Sequence, residues 1–542
     1  MHSSKHTKHF IYPRRDAWFL LPGFLGFALW YLVPFGMSLA ASVMENSANA
    51  HFAGLENYAA VMQSSYFRLG FGNTLRFFAV AVALSLVIGF LLANMIFWHS
   101  RRRISWLTLV LLIPIFLPTA AIVPLWKVMM GGSSWLMRTL KPRDADWKYI
   151  TLLTLYLWKN IGAVNLLFLI GLQGIEPSVF DAVSVDGASH RTIAIRIALP
   201  MLCTVTLFAI IYLAMNGMRI FRESYLLYGM YPPKPLYFIQ NYVNNHFTKP
   251  VSYTHLRAHE TVPVHLGIPS AKGGCLMKHV RRICAVLLAA VVLLPVVLLC
   301  VQAFVPPFDA LMISTGSEPL RLLPIPFSAE QWQMLFNQST YWQAFWNSLI
   351  WTVGACAVQV MVAFLGGYVL AKYPARWCVA LAGLYTLMML MPPQMTLLPI
   401  YRVAYANKML NHPMLLYAPI AFAPFGTFFM RQWLLRWPDE LTEYLRLEGG
   451  SSVKLLWYCL APYSLPGMLA LFALTFTEGW NQVEQPLMLV SDSLRQPLSA
   501  LLKDLSAGNP QIVFAASVAS ILPIALVMLA VLVQQGSKRK AA

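Results

Sequence analysis

Two polar stretches of the sequence share one spacing of an acidic residue, a glycine and a proline. These residues are Asp181, Gly187 and Pro200 in the first stretch, and Glu443, Gly449 and Pro462 in the second. Glycine can end a short helix in the left-handed conformation without steric cost, and proline fits the first turn of the helix that follows. The spacing predicts a short amphipathic helix at a membrane face, with an acid available to pair with a basic group of a partner. The alternative is an ordinary turn between two helices.

A second group of polar residues lies inside apolar runs. Trp158, Gly162 and Asn165 are spaced to share one face of a helix, and Lys159 and Asn160 lie beside them. Polar groups at membrane depth usually face a bundle interior or a cavity, and a ring with amides suits sugar recognition. The candidates for a substrate path are Trp158, Lys159, Asn160, Asn165, Asn216, Gln394 and Asn481. The alternative is that asparagine and glycine simply pack helices together.

The sequence offers no catalytic machinery of its own. The nucleotide-binding pattern GxxxxGK[ST] does not occur in it, so any ATP must be hydrolysed by a partner. We find no arrangement of a nucleophile and a base. His255 and His259 stand four residues apart beside Glu260, but we predict no metal site there.

The composition indicates a polytopic membrane protein. Of the 542 residues 58% are hydrophobic and 11% are charged, whereas soluble domains have about 25% charged residues. Runs of about 20 apolar residues recur, and each is long enough to cross a bilayer as a helix. The formal charge of +19 comes largely from clusters beside these runs, such as Arg101–Arg103 and Lys538–Lys540. That placement is typical of cytoplasmic helix flanks, and it argues against a nucleic-acid partner.

The predicted spans form two similar groups. They cover residues 17–40, 74–98, 104–130, 149–172 and 200–218, and then 282–304, 346–371, 378–401, 410–432, 463–480 and 512–534. The second span of each group opens on an asparagine, Asn73 or Asn347, and the third spans carry prolines six residues apart. The sequence therefore predicts an all-α protein of two homologous helical bundles, with five and six spanning helices.

Loop charges place the N-terminus in the cytoplasm, although the basic loops 131–148 and 219–250 do not fit this orientation. Five helices would leave residue 250 outside, whereas Lys278, Arg281 and Arg282 favour a cytoplasmic start for the second group. We therefore predict a first half at 1–250 that lacks its last helix, an anomalous junction at 251–276, and a second half at 277–542. The junction is interpreted as a sequence scar joining two genes, and a natural linker is the alternative.

The stretch after Phe180 resembles the EAA loop of binding-protein-dependent ABC importer permeases, whose pattern is E-A-A-x3-G-x9-I-x-L-P. The second copy departs from the pattern, because Tyr444 and Leu445 replace the alanines and Cys459 and Ala461 replace the Ile and Leu. "FAGLENYAAVM", "PPQMTLLPIY" and "EGWNQVEQPL" resemble the carbohydrate-uptake branch, of maltose or oligosaccharide type. The resemblance covers nearly the whole chain except about 251–276.

The resemblance implies a type I ABC importer permease fold, with two different permease subunits joined in one chain. It implies two copies of a cytoplasmic ATPase that hydrolyse ATP with Mg, an external solute-binding protein, and a sugar as cargo. The chain would lie in the bacterial cytoplasmic membrane. The residues implied to dock the ATPase are Asp181, Ala182, Val183, Asp186, Gly187, Ala188, Glu443, Arg446, Glu448 and Gly449. The rival functions are an ion-coupled secondary transporter and a membrane scaffold that transports nothing.

Overall fold

The protein is described from a computed structural model. The described residues are 14–541, except 46–50, 100–105, 132–143, 186, 218–219, 249–276, 374, 390 and 392–393. In this part of the chain the only β-structure is an isolated bridge between Met44 and Phe52, so the all-α prediction is confirmed.

The described part of the first half includes ten principal helices. They are α1 (Arg15–Ser42), α2 (Glu56–Gln63), α3 (Ser65–His99), α4 (Trp106–Phe116), α5 (Thr119–Met129), α6 (Asp144–Gln173), α7 (Pro177–Val185), α8 (Cys203–Gly217), α9 (Phe221–Tyr228) and α10 (Ile239–Thr248). Helix α1 includes a 3₁₀ and a π segment. Helix α6 packs against both α3 and α4.

The second half repeats this plan and adds a last long helix. Its helices are α11 (Met277–Gln302), α12 (Pro307–Ser314), α13 (Glu330–Phe336), α14 (Ser339–Lys372), α15 (Arg376–Met389), α16 (Gln394–Ala406), α17 (Met414–Ala421), α18 (Pro424–Leu434), α19 (Asp439–Leu447), α20 (Ala461–Trp480), α21 (Glu484–Leu489), α22 (Leu498–Gly508) and α23 (Val513–Ala541).

Prolines break three of the spans that the sequence predicts as continuous. Among the described residues nine helical segments are long and apolar enough to span a membrane, and α17 with α18 (Met414–Leu434) counts as one of them; the pair α4–α5, bent by 98°, is a tenth candidate. The predicted span 378–401 is instead two helices, α15 and α16, and the span 410–432 is divided into α17 and α18. Proline lacks the backbone N–H that a continuous helix needs. Pro118 directly precedes α5, Pro424 is the first residue of α18, and in the sequence α16 follows Pro393.

The first helix of each half packs against helices of the other half. Helix α1 packs against α14 and α16, and Tyr31 donates a hydrogen bond to the carbonyl of Pro419 at 2.8 Å. Helix α11 packs against α4 and α5, and the Trp158 indole donates to the carbonyl of Val292 at 3.0 Å. This exchange makes the two bundles one intertwined body, which the order of apolar runs did not predict.

The helix order defines two faces of the bundle. Asp16 at the start of α1 pairs with Arg446, in the last turn of α19, at 3.2 Å, and accepts a hydrogen bond from Tyr368 at the end of α14 at 2.8 Å. At the other end of α1, Ser42 bonds to Tyr58 of α2 at 2.7 Å, beside the start of α3. We call the side of Asp16 the docking face, after the ATPase docking that the sequence resemblance implies, and the side of Ser42 the opposite face. Helices α3 and α14 therefore begin at the opposite face and end at the docking face.

Candidate functional site

The two stretches with the acid, glycine and proline spacing fold alike, and we name them docking loops. Gly187 and Gly449 lie two residues beyond the ends of α7 and α19, and their φ angles are +76° and +78°. These left-handed values favour glycine, as the spacing predicted. A π-helical segment follows each loop, at Ile193–Ala198 and Leu455–Leu460, just ahead of the prolines. The matched irregularity shows that the loops are copies of one structural element.

Both docking loops lie at the docking face. Phe180 of α7 packs against Phe97 and Trp98 at the end of α3, with ring centroids 5.3 and 5.8 Å apart. In the second loop, the pairing of Arg446 with Asp16 fixes the position of α19. Because α1 begins and α3 ends at this face, the loops of the two halves share one surface.

The structure presents most of the predicted loop residues to that surface. Asp181 and Ala182 are exposed, as are Gly187, Glu443, Glu448 and Gly449. Val183 and Ala188 are half-buried, and the Ala188 amide donates to the carbonyl of Val183 at 3.3 Å. Asp186 lies outside the described residues. The acids that were predicted to pair with a partner are therefore accessible to one.

Arg446 behaves differently from its neighbours in the second loop. Its side chain is 7% exposed and bonds to Asp16, to the Gly450 carbonyl at 3.0 Å and to the Ser452 hydroxyl at 2.8 Å. A buried Arg–Asp pair with further hydrogen bonds holds its partners firmly in register. In the structure Arg446 fixes the loop to α1 instead of lying on the outer surface.

Exposed apolar residues accompany the exposed acids, and sequence reasoning missed them. Val185 is 87% exposed, Leu447 is 72% exposed and Tyr444 is 60% exposed. A hydrogen bond with Glu448 raises the pKa of the Tyr444 phenol, which therefore stays neutral. Apolar side chains beside charges at the end of a short helix are typical of a surface that a partner covers.

A second constellation lies within the bundle, where three elements of the first half meet. Lys159 of α6 donates to the Thr119 hydroxyl at 2.5 Å and lies 3.8 Å from Glu223 of α9. Thr119, the first residue after the Pro118 break, donates to Glu223 at 3.4 Å. Arg222 contacts the same carboxylate at 3.3 Å. We name Thr119, Lys159, Arg222 and Glu223 the charged cluster.

The charged cluster carries one more positive than negative charge in a region with little access to water. The side chains of Lys159 and Glu223 are only 12% and 9% exposed, and that of Arg222 is 25% exposed. Burying ions is costly unless they are paired, so two cations around one carboxylate leave an attraction for a further anion. Sequence reasoning identified Lys159 but missed the other three residues.

The cluster also contacts the second half. Arg222 donates to the backbone carbonyl of Asn481 at 3.5 Å, while the Arg222 Nε and Asn481 Oδ1 atoms are buried without a hydrogen-bond partner. The Lys503 ammonium lies 4.5 Å from the ring centre of Tyr225, on the same helix as Arg222. Polar atoms without partners in a buried site can bind a polar ligand. The predicted residues Lys159 and Asn481 are thus brought together through Arg222.

Of the remaining substrate-path candidates, Trp158, Asn160 and Asn216 make contacts inside the bundle. Trp158 lies against Trp126, with ring centroids 5.3 Å apart. Asn160 and Asn216 donate to carbonyls one turn earlier in their own helices, at 2.9 and 3.0 Å. Asn165 is fully buried, and both its amide atoms are without a partner. The side chain of Gln394 lies outside the described residues.

Gly162 supports the packing alternative for this face of α6. A methyl group added there would lie 1.8 Å from the carbonyl oxygen of Leu111 in α4. Only glycine permits so close an approach of the two backbones. Gly162 therefore holds α4 against α6, whereas Lys159 on the same helix reaches the charged cluster.

Comparison with known proteins finds related membrane transport components. Residues 363–540 match the family described as binding-protein-dependent transport system inner membrane component. The chain is 27% identical over 235 residues to the sn-glycerol-3-phosphate transport system permease protein UgpE of Yersinia enterocolitica, over 39% of this chain and 79% of that protein. It is 32% identical over 160 residues to the protein of the same name from Salmonella typhi, over 29% of this chain and 56% of that protein. The chain thus spans about half the length of the Salmonella relative.

Two solved structures also resemble the chain. One is a bacterial ABC transporter involved in the import of the acidic polysaccharide alginate, with a TM-score of 0.42, 19% identity, and coverage of 49% of this chain and 99% of that one. The other is a bacterial alginate ABC transporter in complex with an alginate pentasaccharide-bound periplasmic protein, with a TM-score of 0.34, 16% identity, and coverage of 51% and 89%. Both scores are below 0.5.

Proposed function

We propose that this chain, whose residues 363–540 belong to the family of inner membrane components of binding-protein-dependent transport systems, is the permease of an ATP-driven importer. The observation that carries the proposal is the pair of docking loops at one face. Each ends at a left-handed glycine, and each presents an exposed acid, Asp181 or Glu443. Two similar surfaces side by side suit two copies of one partner.

The partner that fits the docking loops is a cytoplasmic ATPase with basic and apolar groups. Asp181 and Glu443 would pair with its basic residues, and Val185 and Leu447 would enter apolar recesses of its surface. ATP with Mg would be bound and hydrolysed in the ATPase, which would move the two loops together or apart. The permease would respond by exposing its interior to one side of the membrane and then to the other.

The cargo that fits the charged cluster is a sugar-type solute with an anionic group, such as a phosphate or a carboxylate. The excess positive charge of Lys159 and Arg222 over Glu223 favours an anion, and hydroxyl groups would bond to Asn481 and Thr119. The cargo in the name of the UgpE relatives, sn-glycerol-3-phosphate, is a phosphorylated polyol. An external solute-binding protein would deliver the cargo at the opposite face.

Charge reversal of the docking acids tests the proposal. The double variant Asp181→Lys and Glu443→Lys should abolish recovery of the ATPase with the purified permease, because like charges would then meet. The matched control is Asp144→Lys with Glu330→Lys, which reverses two acids at the starts of α6 and α13, far from the docking loops. Unchanged recovery of the ATPase in the first variant would exclude these acids as the docking contacts.

One observation favours the rival function, an ion-coupled secondary transporter. Glu223 is a buried carboxylate beside a cation in the bundle, as proton relays require. The two functions differ in their source of energy. Vanadate should stop uptake into energised vesicles that contain the importer with its ATPase, and an uncoupler should not. Uptake that an uncoupler stops and vanadate spares would establish the rival, and no uptake at all would leave a scaffold.

A further inference from the structure

The loop that joins α12 to α13 exposes large apolar side chains. Four of its residues are 64–76% exposed, and we name them the apolar tip: Leu322, Leu323, Ile325 and Phe327. Residues 322–329 contain no charged side chain. Arg321, just before them, is paired with Asp309 at 2.7 Å and with Glu318 at 3.7 Å. A contiguous apolar surface without free charges is uncommon where only water surrounds it.

Hydrogen bonds at both ends of the loop hold the apolar tip in place. The side-chain amide of Gln302, the last residue of α11, donates to the carbonyl of Arg321 at 2.6 Å. The backbone amide of Ser328 donates to the carbonyl of Phe304 at 2.9 Å. Between these ends the Arg321 guanidinium donates to the carbonyl of Ile325 at 2.7 Å. The exposed side chains therefore belong to a loop whose backbone is fixed to the end of α11.

The apolar tip lies at the opposite face of the bundle. The Gln331 side-chain amide of α13 donates to the carbonyls of Gln302 and Val305 at 2.8 Å each, so the end of α11 is bonded to α13. Helix α13 directly precedes α14, which begins at the opposite face. Since the loop is bonded to the end of α11, the tip is at that face as well.

Helix α14 sets the level of this region relative to the bilayer. Lys372, its last residue, pairs at the docking face with Asp439 of α19 at 2.8 Å. Trp346 lies about 39 Å before Lys372 along the helix, at 1.5 Å per residue. The hydrocarbon core is about 30 Å thick, and about 40–45 Å with its headgroup regions. Trp346 therefore lies in the headgroup region of the opposite face, where tryptophan is enriched in membrane proteins.

A row of aromatic rings connects this level to the apolar tip. Trp342 is one turn before Trp346 on α14. From Trp342 the ring centroids follow one another at 5.3–5.8 Å, in the order Trp342, Phe336, Trp332, Phe304 and Phe327. Because the last of these rings belongs to the tip, the tip is in contact with a set of rings that starts at the headgroup level.

The apolar tip also continues the surface that two spanning helices present to lipid. Trp346 and Ile350 of α14, one turn apart, are 51% and 62% exposed. Val291, Leu294 and Val297 of α11 are likewise exposed and share one face of that helix. Both helices are long and apolar enough to span the membrane, so these faces meet lipid. The tip stands at the end of both faces.

We propose that the apolar tip is a membrane anchor that inserts into the headgroup and acyl boundary of the bilayer at the opposite face. Its partner is phospholipid, because the tip extends a lipid-facing surface and lacks the polar rim of a protein interface. Apolar side chains of interfacial segments enter this boundary by about 5–10 Å.

The anchor would hold α12 at a fixed height. Helix α12 packs against α5 and α23, so an element that contacts the broken pair α4–α5 is tied to the bilayer surface through the tip. This inference does not depend on what the protein transports or on its source of energy.

Spin labelling of the purified permease in phosphatidylcholine vesicles tests the anchor. A nitroxide on Ile325→Cys, in a background without the seven native cysteines, is exposed to oxygen, which concentrates in lipid, and to a nickel chelate, which stays in water. The oxygen-to-nickel accessibility ratio at Ile325→Cys should be several-fold higher than at Ser317→Cys, the matched control in the exposed polar part of the same loop. It should approach the ratio at Ile350→Cys on the lipid-facing side of α14.

Two results would overturn the proposal. A ratio at Ile325→Cys equal to that at Ser317→Cys would place the tip in water and leave it free for a protein partner. Exclusion of both reagents, with dipolar broadening between nitroxides of two molecules, would show that a second copy of the chain covers the tip.

A second measurement uses the unaltered chain, so it does not depend on the folding of any variant. A phosphatidylcholine that carries a diazirine near the start of its acyl chain is photolysed in the same vesicles, and the cross-linked peptides are identified by mass spectrometry. Residues 322–327 should be cross-linked and residues 315–319 should not. Cross-linking of α11 and α14 that leaves residues 322–327 unmodified would exclude insertion of the tip.

Discussion

The first half and the second half share a similar order of helices but differ in the charged side chains that they bury. At the separation that relates Gly187 to Gly449, the counterparts of Lys159, Arg222 and Glu223 are Ala421, Glu484 and Gln485. The second half therefore has no equivalent of the charged cluster. The docking loops, by contrast, occur in both halves with the same glycine geometry.

This difference separates two kinds of constraint on a duplicated bundle. The docking loops must both fit copies of one partner, so each half keeps the helix, the left-handed glycine and the π-helical segment. A buried site needs to be built only once, so a charged cluster in one half suffices for both. The asymmetry inside the bundle is the stronger indication of where a solute binds, because packing alone does not require charge.

Removal of the Glu223 carboxylate should cause the largest loss of stability, and its counterpart in the second half should show no such loss. Glu223→Leu leaves Lys159 and Arg222 buried without a counter-charge, which should cost about 3–5 kcal/mol of stability. The counterpart Gln485→Leu should change stability little. Thermal unfolding of the purified permease measures both, and the second-site change Lys159→Met should recover part of the loss. Equal losses of stability in Glu223→Leu and Gln485→Leu would contradict the interpretation that Glu223 neutralises buried cations.

The anchoring of the second docking loop should give the next largest effect. Asp16→Asn removes the charge that faces Arg446, and the two side chains are 3% and 7% exposed. We expect a loss of roughly 3 kcal/mol, because the guanidinium stays buried and its neutral partner binds it weakly. Recovery of the ATPase should fall as the second loop loosens.

A double-mutant cycle with Arg446→Met distinguishes loss of the Asp16–Arg446 ion pair from unrelated destabilisation of the protein. If Asp16 acts through Arg446, the two changes together should cost little more than either alone. Losses that add would show that the two residues act independently.

The paired prolines of α5 and α16 relate Val128 to Val403, which are 4% and 45% exposed, and this difference predicts a smaller contrast. Val128→Ala should cost roughly 1–2 kcal/mol, since the removed methyl groups are enclosed on all sides. Val403→Ala, at the exposed counterpart, should stay within about 0.5 kcal/mol. Thermal unfolding of both variants measures the contrast, and equal costs at Val128 and Val403 would contradict the difference in burial between α5 and α16.

The sequence predicted those features that local chemistry determines. Apolar length indicated most of the spans, and the spacing of Asp181, Gly187 and Pro200 predicted the cap geometry of the first docking loop. The charged cluster depends on residues 119, 159 and 223, which only the fold brings together, so a single polar residue such as Lys159 was the one available signal. The exchange of α1 and α11 was not predictable, because an apolar helix does not specify which apolar neighbour it meets.

The last effect, similar in size to that of Val128→Ala, concerns the feature that both halves share. Alanine at Gly187 or Gly449 would be strained by about 1–2 kcal/mol, because the φ angles are left-handed. No atom lies within 4 Å of an added methyl group at either position, so the cost is backbone strain alone. Asparagine, which tolerates this conformation, should cost less than alanine at both glycines. The expected readout is a several-fold decrease in ATPase recovery for each alanine variant, with asparagine between alanine and glycine. If the two loops are equivalent docking elements, the variants at Gly187 and Gly449 should lose recovery to a similar extent, and a loss at only one of them would assign the partner's attachment to that half.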